Sequence, residues 1–286
     1  MESNKKAGFV VILGRSNVGK STLLNSFIGS KIAITSPKPQ TTRLPVQGIL
    51  TQGDSQIVFV DTPGVFQKSK DRLTSTLLKS VKEALEEVDI VLYVVDPTRE
   101  VGNEEKQTLH FLESTTCPKI LVINKCDLPN KNYLYQYNDL GIEFNEVIEA
   151  SALRGTHINS LIEAIKKYLP EHDFYYPEHQ FSNMPHEVWL AELIREKLFL
   201  RLRQEVPYTT HVQVDEIEER ESGMMYIKAT IFTTDDRYKS IIIGKGGRGI
   251  KEIGQSVRNE LEQVLQKSLY LDLNVEVDPH WETRLA

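Results

Sequence analysis

An apolar run, Phe9–Leu13, stops at Gly14-Arg15-Ser16-Asn17-Val18-Gly19-Lys20-Ser21-Thr22, and a helix-compatible stretch continues to Ile28. The pattern is G-x-x-x-x-G-K-S, and it restricts a fold strongly. A strand must deliver the chain to the loop and a helix must leave it. The loop's N–H groups and the helix's N-terminal dipole then form an anion cradle. Gly14 and Gly19 allow backbone that a side chain would obstruct. Lys20 places its charge on the β- and γ-phosphates of a nucleotide, and Ser21 offers a hydroxyl to Mg²⁺.

Three further signatures follow in order. Ile57–Val60 leads into Asp61-Thr62-Pro63-Gly64, Ile120–Ile123 leads into Asn124-Lys125-Cys126-Asp127-Leu128, and Ser151-Ala152-Leu153 lies beyond. Asp61 is expected to hold the metal from the end of its strand, and Thr62 and Gly64 to sense the γ-phosphate. Asp127 selects guanine: its carboxylate accepts from N1–H and the 2-amino group, and adenine would leave that carboxylate unpaired. Asn124 and Lys125 brace the base and the phosphate loop, and Ala152 offers a backbone N–H to the guanine oxygen. The catalytic set is therefore Asn17, Lys20, Thr42, Asp61 and Gly64. The metal set is Ser21, Thr42 and Asp61.

Thr42 comes from Thr35–Arg43, where a first switch belongs, with Thr41 as the alternative for completing the Mg²⁺ shell. Such a segment must order and disorder. Val65 follows Gly64 where Ras-like enzymes carry a water-orienting glutamine, so intrinsic hydrolysis is expected to be slow. Asn17 has two readings: a turn former, or an amide oxygen that holds K⁺ against the phosphates in place of an arginine finger.

Between the signatures, apolar runs such as Ile90–Val95 alternate with helical faces such as Leu73, Leu77, Val81 and Leu85, or Ile158, Leu161, Ile162 and Ile165. That alternation predicts an α/β domain with a mainly parallel sheet over residues 1–172, with ligands at the carboxyl ends of the strands. Pro170–Pro185 lacks periodicity, and 173–185 is assigned as a linker.

A second unit, 186–286, reads as α+β. Val188–Leu202 is helical, His211–Ile217 and Met225–Phe232 are strands, and Ile250, Ile253, Val257, Leu261 and Val264 mark an amphipathic helix before a last strand, Leu269–Val277. Ile243-Gly244-Lys245-Gly246-Gly247 precedes that helix. In a type II KH domain such a G-x-x-G loop clamps about four nucleotides, because phosphates approach glycine backbone closely. Lys245, Arg248 and Lys251 supply phosphate contacts, and no acid occurs from Arg237 to Lys251. Arg195, Arg201 and Arg203 extend this patch or simply face solvent. The three isoleucines Ile241–Ile243 favour a strand by propensity, where a KH domain needs a short helix. Trp281 either packs on this unit or touches RNA.

The 286 residues fit two domains, and the net charge of −6 argues against wholesale nucleic-acid coating without excluding a local patch. Two cysteines, Cys117 and Cys126, and seven histidines show no metal spacing. No apolar run is long enough for a membrane span or a signal-peptide core, so a cytoplasmic protein is expected; a monomer is expected as well.

Through Gly14–Ser21, Gln40-Thr41-Thr42-Arg43, Asp61–Gly64, Asn124–Asp127, Ser151–Leu153, Arg195–Lys197, Glu205-Val206-Pro207 and Ile243–Gly254, the chain resembles the Era family of bacterial ribosome-assembly GTPases. Ser16 departs from the family's usual proline. The resemblance implies a G domain and a type II KH domain, binding of GTP and GDP, and binding to the 3′ end of 16S rRNA. It also implies action in 30S subunit assembly and partial peripheral attachment to the inner membrane. Two other readings stay open: a GTPase with a protein-docking second domain, which the intact glycine loop disfavours, and a tRNA-modifying GTPase, which usually needs a terminal cysteine motif.

Overall fold

A computed structural model of the chain describes residues 5–35, 46–62, 84–85, 88–113, 115–203 and 205–281. Thr41, Thr42, Pro63, Gly64 and Val65 lie outside them, as does most of the helical face that begins at Leu73. The chain divides into two units, Met1–Asn183 and Met184–Ala286.

The first unit runs β1 (Lys6–Leu13), α1 (Lys20–Ile28), β2 (Val46–Gln52), β3 (Ser55–Asp61), β4 (Ile90–Val95), α2 (Asn103–Glu113), β5 (Lys119–Ile123), α3 (Leu134–Leu140), β6 (Glu146–Glu149) and α4 (Ile158–Tyr168). Its sheet has the order β2-β3-β1-β4-β5-β6. Only β2 is antiparallel, because a two-residue turn at Gly53 and Asp54 folds it straight onto β3. Every residue of β4 is buried, as expected for a parallel strand covered on both faces. Strand order reverses at β1, since the chain crosses from β3 on one side to β4 on the other. Ligands of open α/β sheets sit at the carboxyl end of such a switch point.

The segment assigned as a linker is pinned to this unit for most of its length. Ile49 N–H donates to Phe181 O at 2.9 Å, and the buried Gln56 amide exchanges bonds of 2.8 and 3.0 Å with Tyr176 backbone. Ser182 Oγ donates to Gln47 O at 2.9 Å. Proline and aromatic composition marks irregular chain without saying whether it is loose.

The second unit runs α5 (His186–Arg201), β7 (Thr210–Glu219), β8 (Met225–Thr233), α6 (Asp236–Ile243), a single 3-10 turn (Lys245–Gly247), α7 (Arg248–Leu265) and β9 (Leu269–Val277). β7 and β8 are antiparallel, while β8 and β9 are parallel and joined through α6 and α7. Leu193, Leu198, Ile227, Ile231, Ile242, Ile253, Val257 and Leu261 form its core. Ile241–Ile243 are helical against their strand propensity. Asp235 caps the helix by accepting from Tyr238 N–H at 3.0 Å, Ile242 is fully buried, and Gly244 ends it. Burial of one face outweighs the weak β-branched preference. Trp281 packs on this unit: it is 1% exposed and parallel to the His211 ring at 5.8 Å.

Candidate functional site

The phosphate loop leaves β1, and each of its carbonyls from residue 14 to 18 meets a side-chain donor. Lys20 Nζ donates to Gly14 O at 2.9 Å and Arg15 O at 3.0 Å. Arg99 Nη1 reaches Ser16 O at 3.0 Å, Lys125 Nζ reaches Asn17 O at 2.8 Å, and Asn124 Nδ2 reaches Val18 O at 2.8 Å. Holding the oxygen of a peptide plane fixes the N–H of the same plane, and successive fixed N–H groups are what cradle an anion. Gly19 has φ +101°, and a Cβ there would lie 2.4 Å from Asn124 Nδ2, so glycine lets the base-side loop touch the phosphate loop. Asn17 and Lys125 both adopt left-handed backbone, at φ 64° and 61°, where the loops meet.

Burial pulls the Lys20 ammonium down to about 8, against the opposing pull of Asp61 and Glu105. Ser21 Oγ donates to Asp61 Oδ2 at 2.6 Å, and Asp61 is fully buried at the end of β3. One carboxylate and one hydroxyl converging beside a phosphate cradle is a hard-oxygen donor set that suits Mg²⁺, which keeps several waters and phosphate oxygens as its other ligands. The buried Thr62 commits its hydroxyl to Ile12 O at 2.8 Å.

On the base side, Asp127 Oδ1 accepts from Ser151 Oγ at 2.6 Å, which orients the carboxylate. Asn124 is 2% exposed and bridges Val18 O to Ala152 N–H, the latter at 3.0 Å. Ala152 N–H, expected to meet the guanine oxygen, is therefore engaged with Asn124. Lys125 Nζ also pairs with Asp96 Oδ2 at 2.6 Å. Burial alone would raise the Asp96 carboxyl, but Lys125 and Thr98 outweigh it and hold it below its usual range. Leu128 and Leu153 are exposed beside this site. Asp96 and Arg99 carry no motif of their own; only their place just after β4, at the ligand-bearing end of the sheet, points to them.

In the second unit, Gly244, Gly246 and Gly247 have φ of 71°, 62° and 74° and lead into the N-terminus of the 18-residue α7. Lys245, Arg248 and Lys251 are exposed there, while Ile243 packs partly into the core. Beside the loop, Lys251, Gly254, Gln255, Arg258, Tyr270 and Asp272 line a cleft of about 340 Å³ between α7 and β9. Of these, sequence reasoning found only Lys251. The signal lay in the three-and-four spacing from Lys251 to Arg258, one face over from the apolar stripe. Arg195 is not part of the basic patch: it is 2% exposed and its Nη2 pairs with Glu192 Oε2 at 2.6 Å. Arg201 pairs with Glu252 at 2.8 Å, and Arg203 is exposed.

A family model described as 50S ribosome-binding GTPase matches residues 9–125, and a KH domain model matches 205–282. The GTPase Era of Halothermothrix orenii is 42% identical over 281 residues, spanning 98% of this chain and 95% of that protein. The GTPase Era of Alkaliphilus oremlandii is 46% identical over 281 residues, spanning 96% of this chain and 95% of that protein. The chain belongs to the Era GTPase family. A solved Era in complex with MgGDPNP and nucleotides 1506–1542 of 16S ribosomal RNA superposes with a TM-score of 0.92 at 38% identity, covering 98% of this chain and 96% of that one. An Aquifex aeolicus Era variant bound to GDP·AlF4⁻ gives the same TM-score of 0.92 and identity of 38%, with the same 98% and 96% coverage. Membership in the Era family joins the two sites described above in one protein: a guanine-nucleotide cradle and a KH glycine loop.

Proposed function

We propose that this Era-family GTPase binds the 3′ region of 16S rRNA through its KH unit in the GTP state, releases it after hydrolysis, and so acts in 30S subunit assembly. The observation that carries the reading is the pairing, on one chain, of a braced phosphate loop with a glycine loop that leads into α7, whose Lys251 and Arg258 line a cleft. An Era relative solved with MgGDPNP together with 16S nucleotides supports it.

The residues divide the work. The loop's N–H groups and Lys20 neutralise the β- and γ-phosphates, where charge shifts as the terminal bond breaks. Ser21 and Asp61 would hold Mg²⁺, which when bound would supply further positive charge on those phosphates. Asp127, oriented by Ser151, admits guanine. In the KH unit, Gly244–Gly247 lets the RNA backbone approach α7, Lys245, Arg248 and Lys251 meet its phosphates, and the cleft beside them takes bases. Exposed Asn17, held in its turn through Lys125, is our candidate for the K⁺ ligand.

Two readouts of one preparation test this. GTP hydrolysis should be faster in K⁺ than in Na⁺ at equal ionic strength; equal rates would remove Asn17 from the cation role. The 16S 3′ fragment should be retained by the wild-type chain and lost by Lys245→Asp/Gly246→Asp. Retention by that variant would remove the glycine loop from RNA binding.

A further inference from the structure

Arg15 sits inside the phosphate-loop motif, yet its side chain runs away from the phosphates into the protein. It is 4% exposed. Its Nε lies 2.8 Å from Glu105 Oε1, close enough for an ion pair although the N–H is not aligned on that oxygen. Nη1 donates to Glu100 O at 3.1 Å, and Nη2 approaches the Tyr137 hydroxyl at 3.4 Å. Glu105, on α2, is fully buried and also accepts from the Tyr93 hydroxyl on β4. Burial pushes the Glu105 carboxyl up, and the Tyr93 hydroxyl and Arg15 oppose it. The circuit closes on the loop itself. Tyr137, from α3, donates to Arg99 O at 2.9 Å, and the Arg99 guanidinium returns to Ser16 O. Arg99 also lies 3.6 Å from Glu104.

A buried ion pair is a poor source of stability, because desolvation offsets most of its attraction. What it does supply is fixed geometry, and this one is joined to the loop at two consecutive residues. We propose that Arg15 and Arg99 are positioning residues for nucleotide phosphates: with Glu105 and Tyr137 they anchor the loop at the Arg15 side chain and at the Ser16 carbonyl, and so fix the loop's N–H groups and the two carbonyls that seat Lys20. The proposal rests on the GTP-binding reading above. Neither guanidinium needs to touch the nucleotide, and neither serves the base.

The test separates phosphate geometry from fold and from base recognition. GDP and GMP affinities are measured by competition against a fluorescent guanine nucleotide, with the melting temperature of each variant taken alongside. Arg99→Ala and Arg15→Gln should each lower GDP affinity by about tenfold or more, the loss expected for one charge-assisted bond, while GMP affinity changes by less than about twofold. Arg15→Lys keeps the charge beside Glu105 but lacks the fork that spans Glu100 and Tyr137, so it should restore part of the loss. An unchanged GDP-over-GMP ratio in either folded variant, whatever its melting temperature, would overturn the proposal. Should Arg15→Gln fail to fold, Arg99→Ala decides alone, since its side chain is 42% exposed. A wild-type chain with no GDP-over-GMP preference would instead contradict the nucleotide site itself.

Discussion

Lys20 is buried among the carbonyls of the loop it serves, and its depressed pKa of about 8 is a property of the protein without nucleotide. Phosphates placed beside it favour the charged form and raise that pKa again. Below about 8 the lysine is already protonated and binding takes up no proton through it. Above that pH the free lysine is neutral, so binding must draw in a proton and GDP affinity falls with rising pH, by about tenfold per unit until the pKa of the complex is reached. Calorimetry in two buffers of different ionisation enthalpy should show uptake close to one proton at about pH 9 and little at about pH 7. Equal uptake at both would place the titration elsewhere. Lys20, Ser21, Asp61, Asn124 and Asp127 were legible in the sequence because their chemistry demands fixed local spacing. Arg15 was legible as a loop member but not as an interior anchor. Its partners Glu105 and Tyr137 lie far along the chain, and no local pattern joins them.

At the scale of elements, the junction of α6 and α7 shows what periodicity conveys and what it omits. The apolar stripe of α7 was plain from Ile250 to Val264. The helical state of Ile241–Ile243 was not, because it depends on the Asp235 cap and on α7 lying against the end of α6. Gly249 makes that approach possible: a Cβ there would stand 2.4 Å from Ile242 O. Gly249→Ala should therefore force the two helices apart and cost about 2 kcal/mol, within the range for overpacking a tight contact. It should also tilt the glycine loop and weaken RNA binding. Chemical denaturation of the full chain measures the first effect, and unchanged stability would mean that the junction yields easily. β2 escaped sequence reasoning for a related reason. Gly48 interrupts its apolar pattern, yet α1 side chains fill the space, with Leu24 Cδ1 2.7 Å from where a Cβ would sit. Packing from α1 and pairing with β3, neither visible in local β-propensity, hold that strand.

For the whole molecule, the α/β and α+β classes followed from the alternation of runs in the first half and the helix-strand-strand-helix-strand order in the second. Segment 170–183 was less legible, since its hold on β2 and β3 comes from bonds such as Gln56 to Tyr176 backbone and Ser182 to Gln47 O, which join residues more than a hundred positions apart and follow no local pattern. The two units carry separate sites, and in the function proposed above nucleotide state governs RNA binding. The direct measurement is the affinity of the purified full chain for a labelled RNA spanning nucleotides 1506–1542 of 16S rRNA, the segment bound in the Era relative. It is titrated with Mg²⁺ and either GDPNP or GDP, beside an unrelated RNA of equal length. Tight, sequence-selective binding is expected with GDPNP, weakening with GDP. Equal affinity in the two nucleotide states, or equal affinity for the unrelated RNA, would contradict it.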